Sequence, residues 1–307
     1  MQPVVRMIRP SSSGGEEFLP PNLEILEQAG FTLRIQELPP RSPWPFSAAS
    51  IQDRVRDLWD AISDPDCHIL LCARGGYGAS DLLPFLPWEL MKATPHKWLS
   101  GFSDISALHW ALFTQLGWPS IHSPMPASGL WGKNSTADIR ALIRLFSEPQ
   151  KKGYMEVQAL NLAAEKSRSC QGILLGGCLS VICSLSGTPW FPTDLSELLF
   201  YFEDTGENPG QLIRHWNQLI QNKSLTEAQG VIIGSISQHH SQLTEMEIKR
   251  ELASRVEIPC WGTSDFGHIS PNFPVVNGAF AHIENRALLN WKYHPKRLSQ
   301  TAQKERM

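Results

Sequence analysis

Three things are scarce in this 307-residue sequence: surplus charge of one sign, paired cysteines, and long apolar runs near its start. With 27 Lys and Arg against 30 Asp and Glu, the formal charge is −3. That balance offers neither a basic face for a nucleic-acid backbone nor a polybasic patch for a membrane surface, so neither partner is expected. The first apolar run, Val4-Val5-Arg6-Met7-Ile8, is broken by Arg6 and followed by Arg9. No signal peptide or spanning helix can be drawn there, and a soluble cytoplasmic protein is the expectation. The six cysteines, Cys67, Cys72, Cys170, Cys178, Cys183 and Cys260, form no Cys-x-x-Cys pair and lie in or beside apolar runs. They read as reduced, buried small hydrophobes. His239-His240 would point to opposite faces of a strand, and no His-Glu-x-x-His or Cys/His ligand spacing accompanies it. Neither a Gly-x-x-x-x-Gly-Lys-Ser/Thr phosphate loop nor a dinucleotide fingerprint occurs, so no metal or cofactor is expected.

What is present is an alternating pattern long enough for two domains. Val4 to Ile8 reads as a strand, Leu19 to Ala29 as a helix ended by Gly30, and Phe31 to Leu38 as a second strand. A Pro- and Ser-rich loop from Pro39 to Ser50 leads into an amphipathic helix from Ile51 to Ile62. His68 to Ala73 is apolar enough for a strand buried on both faces. Ser120 to His122 is a further strand, and Ser135 to Phe146 a helix whose Ser135-Thr-Ala-Asp138 opening resembles a capping box. Glu148 to Gly153 looks like a linker. Beyond it come strands at Tyr154–Leu160, Gly172–Leu175, Leu198–Phe202, Val231–Ser237 and near Pro259–Gly262. Helices are expected at Leu179–Leu185, Gln211–Gln221 and Glu245–Val256, with a closing hairpin around Glu284-Asn285 and a polar tail from Lys296. The eleven tryptophans read mostly as packing.

Two turns draw attention in the first half. Arg74-Gly75-Gly76-Tyr77-Gly78 follows a strand, and its glycines would let backbone N–H groups point at an anion, although a plain tight turn explains them equally. Gly101-Phe102-Ser103-Asp104 stands between a strand end and the apolar segment Ile105 to Leu116. A serine on such a turn exposes its hydroxyl beside free backbone N–H groups, which is nucleophile geometry; helix capping by Ser103 or Asp104 is the plain alternative. The fifth position of the usual Gly-x-Ser-x-Gly elbow is Ile105. In an open α/β sheet both turns would lie outside the carboxyl ends of the strands, where ligands bind. The second half adds Glu203-Asp204 at the end of an apolar strand and Phe266-Gly267-His268 after another. A hydroxyl nucleophile needs a base, and the base needs an acceptor. Ser103, His268 and Glu203 can fill those roles, although each also has a structural reading as a cap, an ion pair or a hydrogen-bonded histidine.

These motifs, together with Gly176-Gly177 and Ser186-Gly-Thr-Pro-Trp190, occur in the order seen in the serine LD-carboxypeptidases, and the chain resembles that family from about Val4 to about Trp291. These are the muramoyl-tetrapeptide carboxypeptidases, whose relatives include the microcin C immunity proteins. The resemblance implies an α/β fold: an N-terminal, mostly parallel α/β domain at 1–148 carrying the serine, a linker region at 149–170, and a smaller mixed α/β domain at 171–307 carrying the glutamate and histidine. The active site would lie between them. It further implies Ser103 as nucleophile, His268 as general base and acid, and Glu203 as orienting carboxylate. The backbone N–H groups of Asp104 and Gly76 would form the oxyanion hole, and Arg74, Gly75, Tyr77 and Gly177 would contact substrate. The implied substrate is a murein tetrapeptide, from which a metal-independent, cytoplasmic homodimer removes the terminal D-alanine during cell-wall recycling.

Two other functions stay open on the sequence. One is an immunity-type hydrolysis of a peptidyl- or aminoacyl-nucleotide compound by the same three residues. The other is a non-catalytic carboxylate-binding protein on the same fold. The chain has Cys178 where many members carry asparagine, and Gly210-Gln211 where they carry an aromatic and a basic residue. Its Arg9-Pro-Ser-Ser-Ser start also replaces the more usual Ala-Pro-Ser-Gly. Because successive side chains of a strand alternate, only one of Glu203 and Asp204 can face the cleft, and the family pattern favours Glu203.

Overall fold

The computed structural model describes residues 3–36, 46–148, 152–167, 169–222, 225–284 and 288–293. The Pro- and Ser-rich stretch at 39–45, the middle of the linker at 149–151, Asn285 and the tail from Lys296 lie outside them. Fourteen strands are described: β1 Val4–Ile8, β2 Thr32–Ile35, β3 Cys67–Cys72, β4 Trp98–Gly101, β5 Ser120–His122, β6 Gly153–Glu156, β7 Gln158–Ala159, β8 Ser169–Cys178, β9 Leu198–Thr205, β10 Gly230–Ser237, β11 Cys260–Gly262, β12 Val275–Asn277, β13 Phe280–Glu284 and β14 Leu288–Lys292.

They form two sheets. The first runs β12-β5-β4-β3-β1-β2, and all its neighbours are parallel except β12 against β5. β1 and β3 have apolar residues on both faces because helices cover both, as in any doubly wound sheet. The second runs β6-β14-β13-β8-β9-β10-β11-β7, with a parallel centre from β8 to β11 and antiparallel strands at both margins. The fold is therefore the expected two-domain α/β arrangement with mixed sheets. The segment read as a linker region contributes β6 and β7 to the second sheet, and β12 crosses back to complete the first. The second sheet has eight strands to the first sheet's six.

Helix ends follow local chemistry. Ser50 Oγ accepts the Asp53 N–H at the start of the helix Ile51–Ser63, and Asn208 with Gln211 makes a capping box for the helix Pro209–Gln221. The capping box expected at Ser135 does not form. Helix Ala137–Ser147 begins after Thr136 with no side-chain cap, and Asp138 turns inward to accept the Asn272 N–H at 2.9 Å. The carboxylate is shared, because its other oxygen accepts the Ile139 N–H at 2.8 Å, while Ser135 Oγ accepts the Ala137 N–H at 3.1 Å.

One apolar core runs across both sheets, joining Leu70, Leu99 and Trp110 to Leu175, Phe200 and Phe202. Helix Ser106–Leu116 sits in this seam. Its Trp110 is fully buried, stacks on Phe191 at 4.9 Å, and donates its indole N–H to Gly176 O at 3.1 Å. Asn277 Oδ1, at the end of β12, accepts from Gly176 N at 3.0 Å and Tyr201 OH at 2.9 Å. Trp110→Ala removes the packing and leaves the Gly176 carbonyl without its donor. It should lower stability by about 3–5 kcal/mol, read as an earlier denaturant midpoint.

Candidate active site

Three loops converge at the carboxyl ends of the first sheet's strands. After β4 the chain turns at Ser103, whose φ of 64° is unusual for a residue with a side chain, and then enters a short 3₁₀ turn, Ser103–Ile105, leading into helix Ser106–Leu116. Left-handed backbone costs a β-carbon-bearing residue free energy and persists only where the surroundings enforce it. Ile105, where an elbow usually has glycine, is fully buried and packs inward, so the departure leaves the serine's surroundings untouched.

Asp104 enforces the turn. Its Oδ2 accepts from Ser11 Oγ at 2.5 Å and from the Ala79 N–H at 2.8 Å, tying the loops after β1 and β3 to the serine turn. Burial pushes its carboxyl up, against these two donors. Arg54 ties the loops after β1 and β3 to each other. It is buried, donates to Pro10 O and Gly78 O at 2.7 Å each, and pairs with Asp81 at 3.5 Å. Neither Ser11 nor Arg54 was singled out in the sequence. The available signal was position alone: a Ser run directly after the first strand, and a cation on the apolar face of a helix.

Gly75 stands directly against the serine. A Cβ there would lie 2.9 Å from Ser103 Cβ and 3.3 Å from Asp104 N, so a side chain would fill the space beside the hydroxyl. Gly75 O accepts the Ser12 N–H at 3.3 Å. Gly76 and Tyr77 are exposed at the rim, with Tyr77 OH 3.4 Å from Asp81. Arg74 is half-buried and donates to Ser13 O at 3.1 Å. Gly177 instead faces Ser106, whose Oγ accepts the Cys178 N–H at 2.9 Å, and so belongs to the seam between the sheets.

From the second sheet come the other two residues. Glu203, near the end of β9, is fully buried, and His268 follows β11. His268 Nδ1 lies 2.6 Å from Glu203 Oε2, and its Nε2 lies 2.9 Å from Ser103 Oγ. Gly267, at φ 126°, makes this possible: a Cβ would come within 3.0 Å of both Glu203 Cβ and Ser235 Cβ. Asp204 points the other way and accepts the Ser180 N–H at 2.8 Å at the start of helix Leu179–Leu185. The structure thus brings together Ser103, His268 and Glu203 and leaves Asp204 on the opposite face.

The electrostatics follow from this placement. Burial works to raise the Glu203 carboxyl, but His268 beside it outweighs burial and leaves it below its ordinary value. Burial likewise works to lower His268, and Glu203 with Asp204 overcomes it, so the imidazole sits above 6.5. Asp204 is pushed up to about 6 by burial and by Glu203. The thiol of Cys178 is raised well above 9.0 by burial.

Two family models match, described as the N-terminal domain of LD-carboxypeptidase over residues 5–123 and its C-terminal domain over 171–283. The chain belongs to the LD-carboxypeptidase family. It is 28% identical to the murein tetrapeptide carboxypeptidase of Pseudomonas aeruginosa, over 92% of this chain and 94% of that one. Among solved structures it resembles a muramoyltetrapeptide carboxypeptidase from Oxalobacter formigenes, with a TM-score of 0.80 and 23% identity over 95% of this chain and 99% of that one. It equally resembles the immunity protein MccF in complex with glutamyl sulfamoyl guanosine, with a TM-score of 0.80 and 18% identity over 95% and 96%. At these identities the two structures establish the shared fold. No described helix is long and apolar enough to cross a membrane.

The sign of the pH response follows from the two shifts. Because the folded His268 is raised, its contribution to stability is fully present below 6.5 and is lost as pH rises through the higher folded value. Because Glu203 is lowered, its contribution is present above 4.5 and fades as pH falls through the folded value. NMR titration of His268 should therefore give a midpoint above 6.5, and Glu203→Gln should move it down.

Proposed function

We propose that this chain is an LD-carboxypeptidase that releases the terminal D-alanine of murein tetrapeptides by a Ser-His-Glu acyl-enzyme mechanism. The observation that carries the proposal is the continuous contact from Ser103 Oγ through both nitrogens of His268 to Glu203. Family membership and the resemblance to murein peptide carboxypeptidases support the substrate class.

In this reading, Ser103 Oγ attacks the carbonyl carbon of the third residue and passes its proton to His268 Nε2. Glu203 holds the imidazole with its proton on Nδ1 and stabilises the imidazolium. The oxyanion sits on the Asp104 N–H, at the start of the 3₁₀ turn, and on the Gly76 N–H. The trans peptide supports the second donor: Gly75 O is directed at Ser12, so the Gly76 N–H points the other way. No hydrogen bond among the described residues uses the Asp104 N–H. Collapse breaks the C–N bond, His268 returns the proton to the departing D-alanine amine, and a water activated by His268 hydrolyses the ester. Arg74, Gly75 and Tyr77 line the serine's side of the cleft and contact the peptide. The setting is cell-wall recycling in the cytoplasm, by a homodimer.

The immunity-type reading, hydrolysis of a nucleotide conjugate, would be favoured by tryptophans free to stack a base. None of the described tryptophans is exposed, and Trp190 is stacked on Trp88 at 5.2 Å.

Incubating the enzyme with a purified murein tetrapeptide should release D-alanine and leave the tripeptide. Ser103→Ala should lower kcat by several orders of magnitude with its melting temperature unchanged; activity within about tenfold of wild type, roughly 1.4 kcal/mol of barrier, would sink the assignment. Glu203→Gln should lose most turnover, whereas Asp204→Asn should keep kcat within about tenfold and lose thermal stability, because it weakens the start of helix Leu179–Leu185. Chelators and native-state thiol alkylation should leave turnover intact.

A further inference from the structure

Glu203 meets the His268 ring through Oε2, and the His268 backbone N–H also favours the carboxylate. Its Oε1 is buried and has no hydrogen-bond partner among the described residues. A buried, charged oxygen without a donor is costly, so such an atom points to a donor close by.

His122, the last residue of β5, is fully buried, and neither of its ring nitrogens has a partner among the described residues. Its ring stands among Phe102, Tyr201 and Phe266, with centroids 5.8, 5.8 and 5.9 Å away. Phe102 in turn packs on His268 at 4.7 Å. Phenylalanine would fill an aromatic cage of this kind without burying two polar atoms. Ser120 shares the His122 face of β5, and Asn277 lies opposite Ser120 in β12. Ser120 Oγ and Asn277 Nδ2 are also buried and without partners. These orphans are complementary. The Ser120 O–H and the Asn277 N–H are donors, the bare nitrogen of a neutral imidazole is an acceptor, and its one N–H calls for an acceptor of the kind that Glu203 Oε1 is.

We propose that His122 is a positioning residue: its neutral imidazole donates an N–H to Glu203 Oε1 through one buried water and so keeps Oε2 on His268. The inference rests on the Ser-His-Glu reading of the site. Such a water would find its polar partners among these orphaned atoms, and His122 and Glu203 interact electrostatically. Burial holds His122 down to about 4, so it is neutral wherever His268 can act as a base. The other titratable groups facing this cluster behave differently. His109, on helix Ser106–Leu116, is held down to about 3, and Tyr201 and Cys178 are raised well above their ordinary values, so all three stay uncharged. Asp204, at about 6, titrates in the working range alongside His268.

His122→Phe keeps the aromatic filling and removes the donor; His122→Gln keeps an N–H. In the Phe variant kcat should fall at least tenfold with KM within about twofold of wild type. Its acid limb should move to higher pH, because a carboxylate without its second donor holds the imidazolium more tightly. The Gln variant should recover most of the lost kcat and the original limb. The profiles are measured in an Asp204→Asn background, which removes the competing titration. Wild-type kcat and profile in the Phe variant, or equal losses in Phe and Gln, would overturn the proposal. Should both variants fail to fold, ¹⁵N-histidine NMR of the wild type decides: the His122 N–H should be protected from exchange and shift as His268 titrates, and a flat response refutes the link. That spectrum needs no substrate, so absence of D-alanine release would remove the functional reading without touching this result.

Discussion

The site depends on one buried charge. Glu203 has no contact with solvent, so its carboxylate is tolerable only while His268 lies 2.6 Å away. That requirement shapes the region around it. Gly267 must lack a side chain so that the backbone can approach Glu203, the Asn272 side chain must hold the Gly267 N–H at 3.0 Å, and the Ser235 N–H must hold Phe266 O at 3.0 Å. Both bonds hold the Phe266–Gly267 peptide that directly precedes His268, which fixes the backbone from which the imidazole reaches the first domain. Pre-organisation of this kind meets its entropic cost during folding.

The serine side is built on the same principle with different chemistry. A strained φ at Ser103 is held by a buried carboxylate, Asp104, that bonds to the loops after β1 and β3, while Arg54 ties those two loops together through Pro10 O and Gly78 O. The parallel centres of both sheets contribute their carboxyl ends to one cleft, where ligands bind in open α/β sheets. The seam is stiffened by Trp110, Asn277 and the returning strand β12, so Ser103 and His268 meet across two domains at hydrogen-bond distance.

Much of the architecture was open to inspection in the residues. Apolar runs marked β3, β9 and β10, helical periodicity marked Ile51–Ser63, and glycines marked the loop after β3. Alternation along a strand was enough to separate Glu203 from Asp204, because that separation is a property of local backbone geometry. Family membership was legible too, through ordered motifs whose spacing survives at 28% identity. Local rules failed where a distant partner competed. Asp138 divides its carboxylate between the Ile139 N–H and the distant Asn272 N–H, and Ser135-Thr-Ala-Asp138 made no capping box.

The sequence by itself determined which elements form, which face of each strand a side chain takes, and which residue types could act as nucleophile, base and acceptor, since all of these follow from near-neighbour geometry. Only the tertiary structure decided that Ser103 and His268, 165 residues apart, come within 2.9 Å, that Gly177 faces the seam, and that His122 lies buried among Phe102, Tyr201 and Phe266. Those outcomes depend on how two sheets pack and on which buried polar atoms find partners, and no spacing along the chain encodes either.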